Sequence, residues 1–178
     1  MKKTLIFIAI FIIMIVCYLT YQSQNGGFFI VSEKKAADPR NATYIIDGEK
    51  VSLVNGVSEK NIPNSDSKKV TLYFGNEVKA DFNGDKIKDV AFLLTQNSGG
   101  SGTFYYIAAV LSSKDGYSGT NAIFFGDRIA PQTTEFRNGE IIVNYADRRI
   151  DEPMVAFPSI GVTKYFKISD GSLIEVQK

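Results

Sequence analysis

No histidine and no tryptophan occur in this sequence, and its one cysteine, Cys17, lies inside an apolar N-terminal run. Without His there is no Ser-His-Asp or Cys-His nucleophile system and no His-ligated zinc. With one Cys no disulfide can close within the chain, and no thiol is left for the part beyond the N-terminal segment. Any catalysis would fall to carboxylates, Lys, Tyr or Ser. An excess of charge of one sign is lacking too. Twenty Lys and Arg face 19 Asp and Glu, and setting aside Lys2 and Lys3 leaves 18 basic against 19 acidic residues. A neutral domain carries no electrostatic footprint for nucleic acid and no polybasic surface for anionic lipid, so no nucleic-acid partner is expected. Beyond the N-terminus no stretch holds a 3.6-residue apolar period over three turns, which removes the amphipathic helix as building unit.

What is present is strand-forming. Hydrophobic residues make up 44% of the chain, enough for a core, and 13 Phe and nine Tyr tilt it toward β structure. Three segments are expected: residues 1–21 as a signal anchor or transmembrane helix, 22–41 as a tether and 42–178 as an extracytoplasmic β domain. The apolar run from Leu5 to Tyr21 reaches roughly 25 Å as a helix, at the short end for a bilayer span. Lys2 and Lys3 precede it and Gln22-Ser-Gln-Asn25 follows, which places the N-terminus in the cytoplasm. A cleaved signal peptide lacks its Ala-x-Ala-like site here. A lipoprotein signal would want a small residue where Val16 precedes Cys17. All three readings export the domain. Residues 22–41 carry Gly26-Gly27 and Pro39 without a sustained period, although Phe28 to Val31 could dock locally. Asn41-Ala-Thr43 fits a glycosylation sequon, a match of little weight.

From Thr43 onward strands alternate with turns. Thr43–Ile46 and Lys50–Val54 flank Asp47-Gly48, a hairpin signal. Asn55 to Lys69 reads as a loop, Val70 to Phe74 as a strand and Glu77 to Ala80 as a separate short one. Val90–Gln96 and Thr103–Ser112 are apolar on both faces and are expected to be central, covered on two sides. Asn121–Phe125, Thr133–Arg137, Glu140–Tyr145, Val162–Ser169 and Leu173–Val176 complete the set, with Asn138-Gly139 and Asp170-Gly171 as turns. The spacing predicts an all-β fold, an antiparallel meander closing into a sandwich or partly closed barrel. Following the strand directions puts the Asp81 loop, the Lys114–Gly116 turn and the Asn138-Gly139 turn at one end. The glycine loop 97–102, Asp127-Arg128 and Asp147-Arg148 fall at the other.

One stretch suggests specific chemistry. Asp81-Phe-Asn-Gly-Asp-Lys-Ile-Lys-Asp89 places Asp81, Asn83, Asp85 and Asp89 at positions 1, 3, 5 and 9 of a calcium loop, with the carbonyl of Ile87 for position 7. That much negative charge on a tight loop repels itself, and a hard cation such as Ca2+ relieves it. Lys86 takes the place usually held by Gly, and Phe92 that of a bidentate Glu, so the expected affinity is low. The alternative is an Asn-Gly turn with solvated acids. Asn97-Ser-Gly-Gly-Ser-Gly102 lacks the following helix of a phosphate cradle and reads as a hairpin loop. Asp127, Arg128, Asp147 and Arg148 form a second cluster, either an Arg-lined pocket for a carboxylate or sugar or a set of local ion pairs.

The Asp81–Asp89 loop, followed by the apolar strand Val90–Gln96, resembles the calcium loops of FG-GAP repeats and dockerin modules. It occurs once, so a propeller of repeats is not implied. More widely, Tyr73-Phe-Gly-Asn-Glu77, the Asp81 loop, Gly99-Gly-Ser-Gly-Thr-Phe-Tyr-Tyr106, Gly126-Asp-Arg-Ile-Ala-Pro-Gln132 and Val143-Asn-Tyr-Ala-Asp-Arg148 resemble a family of small exported bacterial proteins without an assigned activity. Members often carry Gly where Lys86 stands, which implies weaker ion binding or none in this chain. The resemblance implies an exported domain and adds no mechanism; with the apolar run, the expected location is the outer side of a bacterial cytoplasmic membrane, held by residues 5–21, or secreted or periplasmic after cleavage. The expected function is a non-enzymatic binding or structural envelope protein with a protein or carbohydrate partner. The alternative is a hydrolase or carbohydrate-acting enzyme using Asp127, Asp147 and Glu152.

Overall fold

In the computed structural model of the chain, residues 11–18, 20, 21 and 37–178 are described. The chain divides into two compact units, Met1–Glu33 and Lys34–Lys178. In the first, residues 11–18 and 20–21 are helical. Among the described residues no helix is long and apolar enough to cross a membrane. The expected transmembrane helix over residues 5–21 is therefore not supported, and residues 5–10 and 19 of that span lie outside the described residues. So do residues 22–36 of the expected tether.

Among its described residues the second unit is all β apart from a short 3-10 turn at Pro39–Asn41. That turn falls in the last residues of the expected tether: Asp38 caps it, Pro39 is buried, and the Tyr44 hydroxyl donates to the Pro39 carbonyl at 2.8 Å. Twelve strands follow: β1 (Thr43–Ile46), β2 (Glu49–Ser52), β3 (Val57–Asn61), β4 (Lys68–Ala80), β5 (Asp89–Asn97), β6 (Phe104–Ser113), β7 (Gly116–Gly119), β8 (Asn121–Asp127), β9 (Ala130–Arg137), β10 (Glu140–Asp147), β11 (Ile160–Ser169) and β12 (Ser172–Val176). The hairpin turns at Asp47-Gly48, Asn138-Gly139 and Asp170-Gly171 stand where expected, with both central residues at positive φ as a type I′ turn requires.

Eight strands form one sheet in the order β2-β1-β8-β6-β5-β4-β3, with β7 also paired to β6. This sheet curls until its edges nearly meet and is almost closed as a barrel. Lys60 and Lys69 of β3 and β4 reach Glu49 of β2 at 3.1 and 3.7 Å, and the Gly56 amide donates to the Arg40 carbonyl at 2.8 Å. The other four strands form a second sheet, β12-β11-β10-β9.

β5 and β6 are the shared wall. Val90, Phe92 and Leu94 point into the barrel with Tyr44, Ile46, Leu53 and Tyr106, where Tyr44 meets Phe92 edge-on at 5.4 Å. Ala91 and Leu93 point the other way into a second core with Ile107, Phe125, Ile141, Val143, Tyr145 and Phe166. The period-2 alternation of a strand, apolar at every position, therefore serves two cores at once, as the sequence indicated. Each such large side chain contributes about 1.5–3 kcal/mol by leaving water.

Three expectations need correction. The sheet is not a pure antiparallel meander: β1 pairs with β8 in parallel, Ile45 opposite Asn121. Only the barrel's curl brings these distant segments together. The stretch 55–69 is not one loop, because Asn55-Gly56 is a further turn at positive φ that leads into β3. The separate strands expected at 70–74 and 77–80 are one 13-residue strand, β4. Register shifts between Tyr73 and Gly75 and between Gly75 and Val78 bend it, so that Tyr73 serves the barrel core and Val78 and Ala80 the second core.

Candidate functional site

The two ends of the β5–β6 wall carry the residues singled out in the sequence, in the arrangement expected. At one end the Asp81 loop sits beside the β6 terminus: the Ser112 amide donates to Asp89 Oδ1 at 2.8 Å and the Ser112 hydroxyl to the Lys88 carbonyl at 2.7 Å. Phe82 packs on Phe136 at 5.1 Å, which brings the β9–β10 turn to the same end. The loop is wound around its own acids. Asp81 Oδ1 accepts the Gly84 and Asp85 amides at 2.7 and 3.1 Å, and its Oδ2 accepts Lys86 N–H at 2.8 Å. Asn83 Oδ1 takes the Asp85 amide at 3.1 Å, and Asp85 Oδ1 takes Ile87 N–H at 2.7 Å. Partial desolvation raises the Asp81 carboxyl, but the amides of Lys86, Gly84 and Asp85 outweigh it and hold the group below the usual carboxylate range. Lys86 adopts φ +67°, the left-handed conformation that a calcium loop needs at this position and that Gly provides with least strain.

Asp89 behaves differently. It is fully buried, and its Oδ2 accepts Phe82 N–H at 2.9 Å while its Oδ1 accepts Ser112 N–H. Burial pushes its carboxyl up, against the pull of those two amides, and the charges of Asp85 and Asp81 add to the rise. Asp81, Asn83 and Asp85 thus share the outer loop, whereas Asp89 brackets the loop to β6. Among the described residues no three His, Cys, Asp or Glu side chains stand together as a metal-holding group. Asp81 Oδ1 already accepts two amides and only Oδ2 keeps a lone pair beyond its single amide bond, so Asp81, Asn83, Asp85 and the Ile87 carbonyl fit only a weak oxygen-ligated cation site. Asp89 has one amide on each oxygen and is set apart from the other three by its full burial.

At the opposite end Asp127, Arg128 and Arg148 converge. Arg128 pairs with Asp127 at 3.0 Å, and Asp127 Oδ1 also accepts Thr103 N–H at 2.9 Å. The Arg148 guanidinium donates to the Asp127 and Arg128 carbonyls at 2.6 and 2.9 Å, tying the end of β10 to the end of β8. Asp147 is not drawn in by its side chain, which accepts its neighbour's amide, Arg148 N–H, at 2.7 Å. Glu152 accepts Arg149 N–H at 3.0 Å. The cluster joins two sheets through backbone carbonyls, with Arg148 bonded to main chain and Arg128 to the Asp127 carboxylate. The glycine loop is a hairpin, as expected, organised by Asn97, whose amide donates to the Gly100 and Gly102 carbonyls at 3.1 and 2.7 Å.

Two features escaped the sequence reading. A cleft of about 530 Å³ is lined by Asp38, Arg40, Tyr73, Glu77 and Lys79. There Glu77 accepts from the Tyr73 hydroxyl at 2.6 Å and from Lys79 at 2.8 Å. The bond from Lys79, with that from Tyr73, holds the Glu77 carboxyl below its ordinary range. The cleft joins residues some 40 positions apart, beyond the reach of any local pattern. The second feature is the apolar connection between β10 and β11, whose Pro153 and Pro158 mark a loop but not its exposure. The sequon at Asn41 is occupied internally: its amide donates to Asp38 at 2.7 Å and accepts Asn55 N–H at 2.9 Å. Compared with known proteins, the chain matches no family model, no curated protein and no solved structure.

Proposed function

We propose that the chain is a membrane-anchored, extracytoplasmic β domain that acts as a non-enzymatic binding or structural protein of the cell envelope, with a weak calcium loop at Asp81, Asn83, Asp85 and Ile87. The observation that carries this reading is the use of Arg148. The residue best suited to hold an anionic ligand has both terminal nitrogens on backbone carbonyls, as a strut between sheets. Glu77 and Asp38 in the cleft are both held below their ordinary range, so the cleft offers ionised acceptors and no carboxylic acid kept protonated for general-acid work. This favours binding over hydrolysis. Asp81 and Asp85 make no ion pair with Lys86 or Lys88 among the described residues, and a divalent cation would balance that charge.

The calcium loop is tested by melting the full chain in about 5 mM calcium and in chelator, alongside Asp85→Ala. A dissociation constant near 0.1 mM adds about 2 kcal/mol by linkage, a rise of several degrees that disappears in the variant. Equal melting temperatures in calcium and chelator would reduce the loop to an acidic turn. The anchor is tested by washing membranes at alkaline pH: an integral chain stays with the bilayer, and recovery in the wash would remove that part of the proposal.

A further inference from the structure

The cleft between the Pro39–Asn41 turn and the bent part of β4 has a volume of about 530 Å³, within the roughly 300–1,000 Å³ of small-molecule sites. Asp38 and Arg40 reach it from the turn, and Tyr73, Glu77 and Lys79 from β4. Its hydrogen bonding is unbalanced. Asp38 Oδ1 accepts the Arg40 amide at 3.0 Å, and Asp38 Oδ2 the Asn41 side-chain amide at 2.7 Å. Glu77 Oε2 accepts the Tyr73 hydroxyl at 2.6 Å, and Glu77 Oε1 the Lys79 ammonium at 2.8 Å. Every carboxylate oxygen in the cleft thus already holds a donor from the chain itself.

The cations are different. Arg40 meets Asp38 only through Nε, at 3.5 Å, and its terminal nitrogens have no partner among the described residues. Lys79 keeps N–H groups beyond its bond to Glu77. Arg148 is the contrast, with both terminal nitrogens on main chain. Arg40 is also held in place from behind. Its carbonyl accepts Gly56 N–H at 2.8 Å, and its Cγ and Cβ lie over Gly56, where an added Cβ would meet them at 3.6 and 3.8 Å. Lys79 first, then Tyr73, and in smaller part the charge of Arg40 hold the Glu77 carboxyl low, which puts the guanidinium within electrostatic reach of the Lys79–Glu77 pair.

We infer that this cleft binds the carboxylate of a small ligand, with the Arg40 guanidinium as its fork and Lys79 as the second cation. A pre-positioned guanidinium with its terminal N–H groups unpaired matches a planar carboxylate with two parallel hydrogen bonds. Asp38 and Glu77 balance Arg40 and Lys79, so the cleft is neutral overall. A single carboxylate is therefore favoured over a phosphate dianion or a polyanion, which the two acids would repel. Such a group is carried by sugar acids and by the C-terminus of a peptide, and its chemistry at Arg40 is the same in both. The inference rests on the binding reading above and gives it a ligand class; it depends on neither the calcium loop nor the anchor.

The test is titration of the full chain in detergent with glucuronate and with N-acetylalanine, each against its uncharged amide, followed by ligand-observed NMR. At least one carboxylate is expected to bind with a dissociation constant of about 1 mM, and its amide about tenfold more weakly. Binding of glucuronate alone assigns the site to a sugar acid, and of N-acetylalanine alone to a peptide terminus; either supports the inference. Arg40→Gln is expected to weaken binding about tenfold, and Arg40→Lys to recover only part, because it restores the charge without the fork. Lys79→Gln weakens it less, and Arg137→Gln, on β9 of the other sheet, leaves it unchanged. Melting curves check that the variants fold, and Lys79→Gln carries the test if Arg40→Gln does not. Failure of both carboxylates to bind overturns the inference. So does equal binding of the amides, or binding that survives Arg40→Gln and Lys79→Gln alike. The calcium melt and the membrane wash are read separately, so their outcomes stand apart from this one.

Discussion

The two polar ends of the domain solve the same problem with opposite chemistry. At the Asp81 end carboxylates collect backbone N–H groups: Asp81 takes three, Asp89 two and Asp85 one. At the Arg148 end a guanidinium collects backbone carbonyls from two consecutive residues. Each end satisfies main-chain groups that the strand ladders leave over. The difference lies in charge balance. Arg128 and Asp127 neutralise each other, whereas the outer acids of the Asp81 loop have no ion-pair partner among the described residues. Clustered charge is therefore balanced by an ion pair at one end and only by backbone N–H groups at the other.

The largest way to break this comparison is Arg148→Ala. Losing two charge-assisted bonds to partly buried carbonyls is expected to lower stability by about 2 kcal/mol, with Arg148→Lys recovering part of it. Urea denaturation checks this through a lower midpoint at unchanged slope. Next comes Asp89→Asn. The amide has a single acceptor oxygen where two N–H groups converge, so one is left unsatisfied, and a loss of about 2 kcal/mol is expected by the same measurement. An unchanged midpoint would mean that Asp89 does not bracket the loop.

Lys86→Gly sharpens the comparison in the other direction. Relieving a left-handed non-glycine residue is expected to stabilise the chain by about 0.5–1 kcal/mol in chelator, after the entropic cost of Gly is subtracted. It should also strengthen calcium binding and leave the Arg148 end unaffected, as isothermal titration and melting would show. The smallest effect belongs to the cleft. The folded Glu77 carboxyl is held below its unfolded value, so its contribution is fully present above the unfolded pKa of about 4.3 and is lost as pH falls through the folded value. The melting difference between wild type and Glu77→Gln should be constant from neutral pH downward, then close at acid pH. A difference that instead grew on acidification would contradict the sign of the shift.

Much of this was legible in residues near one another in the chain. Asp47-Gly48, Asn138-Gly139 and Asp170-Gly171 announce hairpins because both central positions of a type I′ turn need positive φ. Asn55-Gly56 carried the same signal and was hidden by the polar run around it, so β3 was read as loop. The unbroken apolar stretch of β5 showed a strand buried on two sides, which only a wall between two cores can satisfy. The candidate ligands Asp81, Asn83 and Asp85 were visible by spacing, but the inward turn of Asp89 was not, because it depends on Ser112 of β6.

By itself the sequence determined the all-β class, the places of most turns, the two-faced burial of β5 and β6 and which loops share an end. All of these follow from periods of two residues, from local φ preferences and from counting strand reversals. Tertiary structure alone decided the parallel pairing of β1 with β8, the near-closure of the barrel, the bend in β4, the role of Arg148 and the exposure of Phe157. These depend on contacts between residues far apart in the chain, where pairing, burial and charge balance are set by what the folded sheets bring together.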